Sequence, residues 1–158
     1  MLNRIYQKGI PILFALSFFL LPNIISAQRP DLDSEFANIN KAYVNAIRSI
    51  QVYQSDSVLN YPVISLNSNE KLKISFDDLS PDLRRIQFTV RHCSFDWNTS
   101  TDLVVSDYID GFREQNIDQY LYSYNTTIPY IHYFATFPTD NMRLKISGNY
   151  LLIVYEED

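Results

Sequence analysis

Residues 71–93 read KLKISFDDLSPDLRRIQFTVRHC, and their alternation decides the fold. Leu72, Ile74 and Phe76 fall on one side of the chain, and Lys71, Lys73 and Ser75 on the other. That period of two is the signature of a strand with one buried face. Asp78-Leu79-Ser80-Pro81-Asp82 then carries the residue types that make turns. Beyond it, Ile86, Phe88 and Val90 alternate with Arg85, Gln87, Thr89 and Arg91, giving a second half-buried strand that ends about Cys93. His92 continues the apolar register of that strand.

The same period appears on both sides of this stretch. Upstream, Ile50 and Val52 alternate with Gln51 and Tyr53, Pro62 to Leu66 forms a short apolar run, and Asn67-Ser68-Asn69 reads as a turn, since asparagine tolerates the left-handed backbone. Downstream, Tyr120, Tyr122 and Tyr124 are spaced by two, and Thr126 to Pro129 is a turn. Ile131 to Phe137 is a strand closed by Pro138, and Arg143 to Ile146 is a short one. Gly148 marks a turn, and Tyr150 to Tyr155 is a last strand with Leu152 and Val154 on one face. Seven to nine short strands with little helix predict an all-β fold, an antiparallel immunoglobulin/fibronectin-like β-sandwich. Ser147-Gly148-Asn149-Tyr150 before an apolar strand suits the closing strand of such a domain. The chain has a single cysteine, Cys93, so no intrachain disulfide is possible and an antibody-type Cys–Trp–Cys frame is excluded. Cys93 reads as a buried apolar cysteine, with an intermolecular bridge or redox thiol as the sharper alternative.

The N-terminus has a different character. Arg4 and Lys8 precede an apolar run from Ile10 to Leu21, broken by Pro22 and Asn23, with the small residues of Ile25-Ser26-Ala27 after it. Residues 1–27 therefore read as a signal peptide, too short and wrongly flanked for a stable membrane span. Cleavage is expected after Ala27, with no cysteine placed for a lipid anchor. Residues 28–46 read as an N-terminal arm or a short helix, with Ser34 as N-cap and Phe36, Ile39, Tyr43 and Ile47 at helical spacing. Residues 47–158 form the β-sandwich domain. Of thirteen basic residues, Arg4 and Lys8 leave with the signal, so eleven face eighteen acidic ones, a net −7. That balance disfavours nucleic acid as a partner.

The stretch that looks most like a site is Arg91–Phe112, RHCSFDWNTSTDLVVSDYIDGF. It holds His92, Cys93, the only tryptophan (Trp97), and Asp96, Asp102, Asp107 and Asp110. His92 and His132 with Cys93 or Asp96 do not follow a metal-ligand spacing. An aspartate pair for glycoside hydrolysis needs a fixed separation across a cleft. The competing reading is that Asp96, Asn98, Asp107 and Asp110-Gly111 cap turns. The Asp-x-Asp-x-Asp pattern of a calcium loop is absent, as are GxSxG, Walker, GxGxxG and HExxH motifs. No catalytic, cofactor-binding or metal residue is assigned, and the chain reads as no enzyme. Trp97 is expected in the core or between sheets, its alternative being a sugar-stacking platform together with the ladder of Tyr120, Tyr122 and Tyr124. That alternative amounts to a secreted carbohydrate-binding module; an aspartate-pair hydrolase is a third reading. Asp56-Ser57-Val58 resembles a short O-glycosylation acceptor of the Bacteroidetes.

Taken in order, one set of segments resembles a known family. It comprises Ile47-Arg48-Ser49-Ile50-Gln51-Val52-Tyr53, Tyr61 to Leu66, Glu70 to Leu79 and His92-Cys93-x-x-Asp96-Trp97. It continues with Ser106 to Phe112, Tyr124-Asn125-Thr126, Pro129-Tyr130-x-His132-Tyr133, Ser147 to Tyr150 and Val154-Tyr155-Glu156. From about Ile47 to its end the chain is similar to the N-terminal domain of the type IX secretion system plug proteins of Bacteroidetes. Asn69 stands where the family would place glycine, and members of the family continue well beyond this domain. The resemblance implies a non-catalytic periplasmic protein, associated with the outer membrane. Such a protein closes the inner mouth of the translocon barrel, its implied partner, with no span of its own after signal cleavage.

Overall fold

The chain runs through β1 (Ile47–Gln54), β2 (Leu72–Asp78), β3 (Ile86–Cys93), α1 (Val105–Tyr108), β4 (Ile109–Gly111), β5 (Glu114–Asn116), β6 (Gln119–Tyr122), β7 (Ile131–Phe137), β8 (Met142–Leu144) and β9 (Asn149–Glu156). The structure is a computed structural model that describes residues 41–56 and 58–157, within the unit Leu32–Asp158. The expected signal peptide, residues 28–40 of the arm, and Ser57 of the Asp56-Ser57-Val58 motif lie outside the described residues. Residues 41–46 form turns leading into β1.

The nine described strands make antiparallel sheets, as the period-two pattern predicts. The first sheet has the order β1-β2-β7-β6, the second β5-β3-β9, and β4 pairs with β8 in a two-stranded ribbon. The two larger sheets face each other across one core. Ile74 and Phe76 of β2 and Ile131, Tyr133, Ala135 and Phe137 of β7 supply one layer, and Ile86, Phe88 and Val90 of β3 the other. Phe88 meets Phe137 edge-on at 6.1 Å, and Phe76 stacks on Tyr133 at 5.4 Å. Such pairs add to the burial of the rings themselves.

The two strands that open the sequence reading lie in different sheets, so the turn between them crosses the sandwich. Asp78 holds the crossing in place. Fully buried at the end of β2, it accepts from the Ser80 amide at 2.9 Å and pairs with the Arg84 guanidinium at 2.6 Å. Arg84 reaches on to Glu156 of β9 at 3.0 Å. The Tyr133 hydroxyl accepts from the Arg84 amide at 3.0 Å and donates to the Arg84 carbonyl at 3.2 Å. A buried carboxylate needs such a complete set of partners.

Several expectations change. Pro62–Leu66 is irregular rather than a strand, since Pro62 has no amide to give a ladder. In β1 the register slips between Arg48 and Gln51, with Ser49 at φ 53°, a bulge that leaves Ile50 exposed. Asp110-Gly111 is strand β4 rather than a turn. A side chain at Gly111 would fall 2.2 Å from the Asn141 carbonyl, and φ there is +99°, so the position requires glycine. Tyr124 lies beyond the end of β6. Trp97 is not in the core. The β3 ladder ends at Cys93, and a turn closed by the Trp97 amide on the Ser94 carbonyl at 3.0 Å puts Trp97 at φ 66°. That takes the ring off the strand register and leaves it 44% exposed.

Candidate functional site

The sequence cluster Arg91–Phe112 is spread over β3, α1 and β4 and the turns between them, and several of its polar groups are occupied in holding them. His92, next to last in β3, takes Ser100 Oγ on Nδ1 at 2.8 Å and stacks edge-on against Tyr150 at 5.2 Å, with Tyr108 at 6.0 Å. Its ring fits against Gly148, where a Cβ would come within 2.3 Å of Nε2. Cys93 is buried, and burial pushes its thiol pKa up, so it is held as the neutral thiol. Asp96 closes the turn after β3. It accepts from Ser94 Oγ and from Asn98 Nδ2 at 2.6 Å, and the Ser94 bond foremost holds its carboxyl below the usual range. Asp107 accepts from the Val104 amide at 2.9 Å and so closes the first turn of α1. Asp110 is exposed in β4. His132 lies on β7, where its Nδ1 meets Asp77 of β2 at 2.7 Å. Among the described residues no three potential metal ligands come together.

The tyrosines lie elsewhere. Tyr120 and Tyr122 are on β6, an edge of the first sheet, with their rings edge-on at 5.6 Å; Tyr120 also leans on the core ring of Tyr133 at 6.0 Å. Trp97 lines a groove at the other edge of the fold, bordered by β1 and β9. The two halves of the sugar-platform reading therefore do not share a surface.

That groove has a volume of about 1100 Å³, and sequence reasoning missed it. It is lined by Ile47 and Val52 of β1, by Leu152 and Val154 of β9 and by the loop from Tyr61 to Ser68, and it reaches the core residues Ile74 and Ile86; Lys41, Glu70 and Arg143 also border it. Arg84 and Glu156 are among its lining residues. The arrangement can bind extended apolar material. Each strand's alternation is visible in sequence, but the gap between two strands a hundred residues apart is not.

A family model described as Type 9 secretion system plug protein 1st domain matches residues 47–158. Among solved structures, a crystal structure of a hypothetical protein from Parabacteroides merdae is similar, with a TM-score of 0.68 and 34% identity over 72% of this chain. The chain spans 28% of the length of that relative. No curated protein matches.

Proposed function

The chain belongs to the type IX secretion system plug protein family, by a match over residues 47–158, and from that premise we propose that it acts at the periplasmic end of the outer-membrane translocon barrel. There it would help to close the pore when no substrate is passing. A role in type IX secretion follows from the family; the pore-closing role and the barrel as partner are the proposal. The family match carries it. An acidic domain with an apolar groove and an exposed aromatic edge is consistent with a part that binds protein rather than transforms a substrate.

The carbohydrate reading loses support, because Trp97 and the β6 tyrosines line different edges. The test is co-purification. The chain, tagged at its C-terminus and exported by its own N-terminal segment, is expressed in a type IX-competent bacterium, and the outer membrane is solubilised in mild detergent. Recovery of the translocon barrel with the tag supports the proposal. Recovery with a full-length family member but not with this chain would show that docking lies in other domains.

A further inference from the structure

The groove between β1 and β9 has the properties of a vacant strand position. In the second sheet β9 pairs with β3 alone, and among the described residues its other edge has no strand beside it. The Glu157 amide donates to the Arg85 carbonyl at 2.9 Å. From that pair the antiparallel ladder alternates, so the backbone groups of Leu152, Val154 and Glu156 face away from β3. The side chains on the inner face tell the same story. Leu152 and Val154 lie opposite Val90 and Phe88, both buried, yet Leu152 is only partly buried and Val154 is 37% exposed. Across the groove, among the described residues, β1 pairs with β2 alone, and no ladder joins β1 to β9.

We infer that this groove receives one β-strand, antiparallel to β9, whose alternate apolar side chains complete the core between the two sheets. Outward-facing strand donors with no strand partner among the described residues, along one wall, and an apolar floor select an extended peptide with every second residue apolar over a helix or a small polar ligand. The source is polypeptide that follows this domain in longer relatives. Most of the Parabacteroides merdae chain lies outside the 28% that this chain covers, and a strand returning after β9 through a tight turn arrives on the free edge antiparallel. The inference is independent of the pore-closing proposal, since it concerns how the domain is completed rather than what it docks to.

The test uses the chain purified after export, with two synthetic peptides. One is the ten-residue segment that follows the matched region in the Parabacteroides merdae chain; the other is the same segment with two central residues replaced by proline. Hydrogen exchange at the outward amides of Leu152, Val154 and Glu156 is expected to slow at least tenfold with the first peptide and not with the second, with no change at β6. The Val154→Pro variant removes an outward amide while leaving the β3 ladder intact, and it should keep the native circular dichroism and lose the effect. No slowing at saturating peptide, or slowing at β6 instead, overturns the inference. So does protection of the amides of Leu152, Val154 and Glu156 without peptide: lost on dilution it identifies a second copy as the occupant, and retained it identifies the chain's own N-terminal segment.

Discussion

On one side of the sandwich the chain itself passes from sheet to sheet. It leaves β5 at Asn116 and enters β6 at Gln119, and between them Ile117 is 4% exposed, with its amide on the Ile86 carbonyl at 2.8 Å. On the other side β1 and β9 border a groove, and the tie across it is polar: Asp78 to Arg84 to Glu156. The first closure is apolar and local. The second depends on a carboxylate with no exposure at all. The difference teaches that a sandwich edge can be held together without being filled, at the cost of a buried charge that must stay paired.

The largest effect should come from breaking the polar tie. Asp78→Ala strands the Arg84 guanidinium and is expected to cost about 3–5 kcal/mol, the range for removing one member of a buried pair, read from urea unfolding. A loss below about 1 kcal/mol would show that the tie is not what holds this side. Next, Ile117→Ala on the closed side should cost about 2–4 kcal/mol, while Val154→Ala at the groove should cost under about 1 kcal/mol. Equal losses would break the comparison. Glu156→Gln, half exposed at the outer end of the tie, should cost no more than about 1 kcal/mol.

A smaller effect concerns pH. Tyr150 of β9 donates to the Ile146 carbonyl at 2.8 Å, and burial, with Tyr108 nearby, pushes its pKa up to about 12. An unfolded tyrosine ionises near about 10, so folding favours the neutral phenol. That contribution is fully present below the unfolded value and is lost as pH rises from about 10 towards about 12. Urea midpoints across that window should fall less steeply in Tyr150→Phe than in the parent. Smallest of all, Trp97 at the groove rim should emit at long wavelength and be reached by acrylamide; a blue, unquenched spectrum would mean that the ring is covered.

The two strands that decide the fold were legible because each is long, alternating and half-buried. Ile74 and Phe76, or Ile86, Phe88 and Val90, admit few other readings. Strand β4 was not, since three residues carry too little pattern, while its partner β8 was read as a short strand at Arg143 to Ile146 and lies at Met142–Leu144. Pro62–Leu66 misled because apolar composition alone does not supply a donor where a ladder needs one. Trp97 misled because one backbone turn, not its chemistry, sets where the ring points. At the site, the turn-capping roles of Asp96 and Asp107 were readable from their neighbours. Arg84 was not, since its partners lie 6 and 72 residues away in sequence.

The pairing of β3 with β9 also sets an order in time. Ile86 aligns with Glu156, so the second sheet waits for the last strand while the first can already zip β2 to β7. Long loops must close before such contacts contribute, which slows β-rich chains. Until β9 arrives, one edge of β3 is open and the other carries only the three-residue β5. The half-made domain is therefore the stage most exposed to off-pathway association, and the final eight-residue strand is the kinetic latch of the fold.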